Sequence, residues 1–288
     1  MKKFKQRLSC SFFFSIVPGI LWQLLFLCLP LVFIIGLSFF EISDKLALFT
    51  MDYYRVVTNK FHLLVILRSL SVSFFVATVC SLIAYPVAYF IAFKVSKRWQ
   101  SIGLFLLALP FWINFLLQVY AWCFILERNG LVNSFLLKIG LISEPLYLMN
   151  NMVSVILVMI QGYLPFMILP IYSGMSRFSK RLIEASYDLG ASAIYTFWHI
   201  TLPLTISGIR TGFILILVMT FGEFTIPTLL GGGKKLFVGT LISEYFFTSR
   251  SMSQGSAFVC VSAMVLCGAI LVVNKIFGLI SGATDHEN

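Results

Sequence analysis

Apolar residues fall in six long runs, at residues 12–40, 63–93, 101–126, 152–172, 205–230 and 257–280, separated by short polar segments. A helix crosses a bilayer with about twenty mainly apolar residues, so each run is long enough. The pattern predicts an all-α, polytopic membrane protein with six transmembrane helices. Proline recurs inside the runs, at Pro86, Pro110, Pro165, Pro170 and Pro227. Neighbouring helices in a membrane can satisfy the carbonyl that a proline frees. The first run follows a basic start, Lys2, Lys3, Lys5 and Arg7, as a signal peptide does. It is too long for a cleaved apolar region and lacks a small-x-small exit, so a retained first helix is expected. No run repeats another, and the chain reads as one domain, 1–288, with its core at about 63–280.

The polar segments differ in character. Residues 41–62 form a moderately polar connection, and 94–100 a tight turn. Residues 127–151 are half apolar and predict a short interfacial helix over 132–139. Gly231, Gly232 and Gly233 predict a flexible turn. The segment 173–204 is the richest in signals. Leu182, Ile183 and Tyr187 recur at helical spacing within 179–188. Gly190 fits a helix C-terminal cap, Ser192 an N-cap for a second short helix through Trp198, and Pro203 a break before the fifth span. The small residues Ala185 to Ala191 then form an exposed corner between two short helices. Such a low-relief corner suits close approach by another protein; an ordinary surface loop is the plainer alternative.

Composition agrees with the bilayer. Of 288 residues 59% are hydrophobic and 11% charged, with mean hydropathy +0.96, whereas a soluble domain carries roughly a quarter charged residues. The net charge of +10 comes in short clusters between apolar runs, which argues against a nucleic-acid partner. Lys and Arg orient membrane proteins instead. With the N-terminus inside, twelve lie in inner segments (Arg177, Lys180, Arg181 and Arg210 among them) and nine in outer ones. Both termini and the segment 173–204 are then cytoplasmic. Five of the six cysteines lie in apolar runs, where they read as small apolar filler.

Enzyme signatures are missing from the sequence. The nearest approach to a phosphate-binding loop, Gly233-Lys234-Lys235, has Thr228 where the earlier glycine belongs. His62, His199 and His286 are far apart and form no metal motif. No catalytic residue, cofactor or metal is expected. Glu223 is the one ionisable residue well inside a predicted span, and a lone carboxylate there is costly, so it should face a pore or a partner. A pore carboxylate suits a polycation; pairing with a backbone group or an arginine is the structural alternative. Trp112, Asn114, Gln118, Tyr120 and Trp122 form a polar-aromatic cluster in the third run, with Gln161 and Tyr163 in the fourth. Aromatic faces attract ammonium groups, but Trp and Tyr also supply interfacial belts, the favoured reading for Tyr120 and Trp122.

Glu184-Ala185-Ser186, Gly190 and Ile200-x-Leu202-Pro203 resemble the signature loop of binding-protein-dependent ABC importer permeases. Ser186 replaces the usual alanine. Arg181 to Ser192, Ala84 to Tyr89, Pro110 to Asn114, Asn129 to Asn133, Leu164 to Tyr172 and Pro227 to Gly232 are similar to the polyamine-type branch, especially the first membrane subunit of spermidine/putrescine importers. The resemblance implies the type I importer permease fold in a bacterial inner membrane. It also implies an ABC ATPase dimer gripped through Glu184, Ala185, Ser186, Asp188, Gly190, Ile200, Leu202 and Pro203. A second homologous permease subunit and an extracytoplasmic solute-binding protein would complete the assembly. Polyamine is the expected small-molecule cargo, passing near Glu223, Gln161, Tyr163, Trp112, Asn114 and Gln118. Another solute carried by the same class is the alternative. An ion-coupled transporter would want more intramembrane acids or broken helices in repeated halves.

Overall fold

Six apolar runs become helices, but two of them are interrupted where the sequence reading ran them straight. The computed structural model describes residues 16–43, 46–233 and 236–285. The start of the first run, the basic N-terminal residues, Cys10, Lys234, Lys235 and His286 lie outside them. Among the described residues five helices are long and apolar enough to span a bilayer, and a sixth span arises if one bent pair counts as a single crossing.

The chain divides into two compact units. The first holds residues 1–60 and 244–263. Its helix α1 (Ile16–Leu37) has no buried side chain in its spanning window, as suits a helix facing lipid. Polar and apolar residues alternate after it, and the chain forms a short antiparallel hairpin, β1 (Phe40–Ser43) against β2 (Leu46–Phe49), with Phe40 opposite Phe49. This hairpin is an addition to the all-α expectation. Helix α2 (Asp52–Val57) follows. The Tyr54 hydroxyl lies 2.7 Å from the Ser38 hydroxyl, and Ser253 donates to the Phe40 carbonyl at 2.8 Å. Burial pushes the Tyr54 phenol above its usual range.

The second unit, residues 61–243 and 264–288, carries the core. Helix α3 (Lys60–Tyr89) contains Pro86 and ends in a π turn, Phe90–Lys94. Helix α4 (Lys97–Ala108) leads into a 3-10 turn, Leu109–Trp112, and then α5 (Phe115–Leu126). Helix α6 (Leu131–Lys138) matches the predicted interfacial helix within one residue. Helix α7 (Met152–Met175) keeps Pro165 and Pro170 in its interior. Helices α8 (Arg181–Asp188) and α9 (Ala193–Thr196) form the corner. Helix α10 (Leu202–Phe221) is followed by α11 (Thr225–Leu230), α12 (Val238–Ser243) and α13 (Met252–Asp285), which runs through both units.

Helices α7 and α10 pack most closely. A side chain on Gly208 would put its Cβ 2.6 Å from the Pro170 carbonyl oxygen, and one on Gly212 would meet the Met167 sulfur. Small residues let membrane helices approach backbone to backbone, where lipid supplies no hydrophobic drive. Around this seam lie Val76, Ala77, Cys80 and Ala84 of α3, Met159, Ile168 and Ile171 of α7, and Ile216 and Leu217 of α10. The Tyr85 and Thr205 hydroxyls, 3.2 Å apart, join α3 to α10.

Two corrections concern the breaks. The third run bends by 89° between Trp112 and Phe115. Pro110 removes a backbone donor and tightens the turn, Ile113 becomes extended, and Asn114 restarts the helix by accepting from the Leu116 N–H at 2.9 Å. Pro203, expected to break the chain before the fifth span, does not: residues Ala193–Phe221 form one candidate span. Within that span a π turn, Phe197–Thr201, ends two residues before Pro203. That widened turn moves aside the carbonyls that Pro203 cannot bond and would strike.

Candidate functional site

Both interruptions open onto one cavity of about 640 Å³, lined by Pro110, Phe111, Ile113, Asn114, Phe115, Gln118, Gly162, Tyr163, Phe166, Met219 and Glu223. Its size falls in the range of small-molecule sites, about 300–1,000 Å³. On one wall, the break at Ile113 aims Asn114 and Gln118 from the start of α5. Gln118 reaches back to donate to the Pro110 carbonyl at 2.5 Å. On the facing wall, α10 ends at Phe221, and Gly222, Glu223 and Phe224 occupy the gap before α11.

Glu223 is therefore not on a helix, as the continuous fifth run implied. It sits just before one. Its Oε1 accepts from the N–H groups of Thr225 at 2.8 Å and Ile226 at 3.3 Å, which are orphan donors of the α11 start. Its Oε2 accepts from the Tyr163 hydroxyl of α7. Only 8% of the residue is exposed. These bonds offset part of the cost of burying a carboxyl group. Gly239 of α12 presses on the Gly222 and Glu223 carbonyls so closely that a Cβ would overlap both. The Ser69 hydroxyl holds the adjacent Val238 N–H at 2.9 Å. Ring contacts complete the wall, with Phe111 and Phe166 centroids 4.6 Å apart. The cavity thus offers one carboxylate, two amides and several aromatic faces.

Four of the six residues expected along a solute path, Asn114, Gln118, Tyr163 and Glu223, come together here. The other two do not. Trp112 does not line the cavity; it is 75% exposed and edge-on to Phe105. Gln161 faces away and accepts from the Trp122 indole N–H at 3.0 Å. The sequence reading missed Gly239, whose signal is only in the tertiary packing. It also missed Phe111, Phe115 and Phe166, which flank the chosen polar residues and read as ordinary lipid-facing aromatics.

The corner folds as its caps dictate. The Gly190 N–H bonds the Tyr187 carbonyl at 2.9 Å, and the Ala191 N–H the Ser186 carbonyl at 3.1 Å. That pair of bonds is a Schellman closure, with Gly190 at φ +85°. Ser192 accepts from the Tyr195 N–H at 3.3 Å and caps α9. Ser186 is buried, its hydroxyl 2.8 Å from that of Thr196, so it fastens α8 to α9 and does not present itself on the corner's surface. Glu184 is exposed and pairs with Lys180 at 3.4 Å; Ala185 and Asp188 are exposed, while Ile200, Leu202 and Pro203 are half-buried behind the corner. Leu189 stands 89% exposed beside a hollow bordered by Gly190, Ala191 and Ile200.

A bent or continuous set of apolar spans, a cavity between helix breaks and a capped surface corner define a multi-pass membrane permease component. The family model described as "binding-protein-dependent transport system inner membrane component" matches residues 81–277. The chain belongs to that family. The spermidine/putrescine transport system permease protein PotB of Escherichia coli (strain K12) is 35% identical over 261 residues, 90% of this chain and 94% of that one. PotB of Haemophilus influenzae is 34% identical over 271 residues, covering 93% and 92%. Among solved structures, a bacterial ABC transporter involved in import of the acidic polysaccharide alginate has a chain that superposes with TM-score 0.77 at 19% identity. The match covers 98% of this chain and 100% of that one. A second structure of the alginate transporter, in complex with an alginate pentasaccharide-bound periplasmic protein, gives TM-score 0.78 at 18% identity, over 98% of both chains. These confirm the expected helical importer-permease fold and a multi-pass place in the inner membrane.

Proposed function

We propose that this chain is one of two membrane subunits of an ATP-driven importer for polyamines such as spermidine and putrescine, acting as a single permease domain. The observation that carries the cargo class is the cavity: Glu223 is its one charged lining residue, flanked by Tyr163, Phe111, Phe115 and Phe166. A carboxylate among aromatic faces suits a chain of ammonium groups and methylenes, since rings attract cations and also shed water from the carbon segments. The identity to the PotB proteins over nine-tenths of the chain supports the same cargo.

The motor is a separate ATPase dimer that grips the α8–α9 corner from the cytoplasm, and both termini lie on that side. A periplasmic binding protein delivers the solute, and a second permease subunit completes the pathway. Nucleotide drives transport because it binds one arrangement of the assembly better than the other. Uptake of labelled spermidine by vesicles containing this chain and its genomic neighbours tests the reading. ATP-dependent accumulation that unlabelled putrescine competes away is expected. Accumulation of an unrelated solute with no competition by polyamines refutes the cargo.

A further inference from the structure

A second cavity, of about 520 Å³, lies between the corner-side halves of α7 and α10, bordered by Leu169, Pro170, Ser173, Arg177, Ser207, Arg210 and their neighbours. We propose that it is a binding site for the phosphate headgroup of an anionic phospholipid. Its charge is uncompensated. The two ion pairs among the described residues are Arg55–Asp52 and Lys180–Glu184, and neither the Arg177 nor the Arg210 guanidinium has a partner among those residues. The Ser173 and Ser207 hydroxyls are also unengaged among the described residues. Thr211 already donates to the Ser207 carbonyl at 2.9 Å. Two guanidinium forks and two free hydroxyls are a donor set for phosphate oxygens.

Depth decides between a lipid and a free anion. Gly208 abuts Pro170 and Ile171, and Gly212 abuts Met167, so Arg210 leaves α10 at the level of Leu169. Arg177 stands in the turn just past the end of α7, eight residues beyond Leu169 and so roughly 12 Å nearer the corner at about 1.5 Å per helical residue. The sequence reading counted Arg210 simply among the inner-segment charges. It also falls within the fifth run, 205–230, and the structure keeps it within the candidate span Ala193–Phe221, from where a side chain of its length can reach the interface. Polar groups thus lead from the membrane edge inward and end at Leu169 and Pro170, an apolar shelf where an acyl chain can lie. Basic pockets between spanning helices on the cytoplasmic side are where acidic headgroups bind. The inference needs the chain to cross a bilayer and needs no particular cargo.

Native mass spectrometry of the full-length chain, from micelles doped with equal phosphatidylglycerol and phosphatidylcholine, tests it. Phosphatidylglycerol should be retained about tenfold over phosphatidylcholine, the scale of one charge-assisted contact. An Arg177→Gln/Arg210→Gln variant should hold the two equally. Should that variant not purify, Ser173→Leu, which fills the cavity without removing a charge, should abolish the preference. Equal retention by the native chain, or an undiminished preference in either variant, overturns the proposal. So does displacement of the lipid by millimolar inorganic phosphate, which would mark a free-anion site. Retention is read without cargo, nucleotide or partner chains, so its failure leaves the import function standing, and failure of import leaves it standing.

Discussion

Replacing Glu223 in two ways separates its charge from its hydrogen bonds. Glu223→Gln keeps an oxygen for the Thr225 and Ile226 N–H groups, and its amide can donate to the Tyr163 hydroxyl. Glu223→Ala leaves all three buried donors unpaired. At about 1 kcal/mol or more for each unsatisfied group, the alanine variant should lose about 3 kcal/mol of stability. The glutamine variant should lose little, about 1 kcal/mol. Their effects on transport differ in kind. If an ammonium group meets the carboxylate in the cavity, loss of the charge weakens that contact by about 1.4 kcal/mol, a tenfold rise in the half-saturating spermidine concentration. Thermal melts in detergent and initial uptake rates in vesicles read the two quantities separately. The expected result is a glutamine variant that melts near the native temperature and needs about ten times more spermidine. If it transports like the native chain while alanine melts early, Glu223 is a helix cap and nothing more. If both variants melt alike, the capping geometry itself is refuted.

Gly190→Ala should lower uptake through backbone strain of about 1–2 kcal/mol, because nothing lies within 4 Å of the site and φ is +85°; Gly190→Asn should be milder, and a pull-down of the ATPase from co-expressing cells ranks the two. Ser186→Ala should cost about 1 kcal/mol and leave ATPase capture intact, since Thr196 also bonds the Ser192 carbonyl; a melt and the same pull-down check this. Gly208→Ala should destabilise the α7–α10 seam by about 1–3 kcal/mol, and Gly212→Ala by less, because the atom met at Gly208 is a backbone carbonyl and at Gly212 the end of a flexible methionine. Equal melting temperatures for these last two variants would contradict the packing described.

Much of the fold was legible because its signals are local. Twenty-residue apolar runs mark spans, and Gly190 and Ser192 mark the corner because a cap is decided by one residue and its immediate neighbours. The breaks were not legible in the same way. Hydropathy averages over a whole span, so Ile113 and Gly222, both compatible with an apolar run, hide the points where the helices stop. Pro110 announced a disturbance without saying whether the chain would kink or turn. Pro203 announced one that a π turn absorbed. The alternation from Phe40 to Ser43 is a strand signal that a search for helices passes over. The cavity residues were half legible. Polar side chains in apolar runs stand out, which found Asn114, Gln118, Tyr163 and Glu223. The bend separates Trp112 from Asn114 and Gln118, while on α7 the helical turn puts Gln161 on a different face from Tyr163, two residues on. The Ser186–Thr196 bond joins residues ten apart and exists only once the corner has closed.

The most direct measurement is spermidine uptake into proteoliposomes holding this chain, its partner permease, the ATPase and the binding protein, with no ion gradient across the membrane. Accumulation that requires ATP inside the compartment where the α8–α9 corner lies, and that vanishes when Gly190 is replaced by tryptophan although the chain still inserts, is the expected result. Uptake driven by an imposed ion gradient without ATP, or unchanged in the tryptophan variant, would contradict a nucleotide motor acting through that corner.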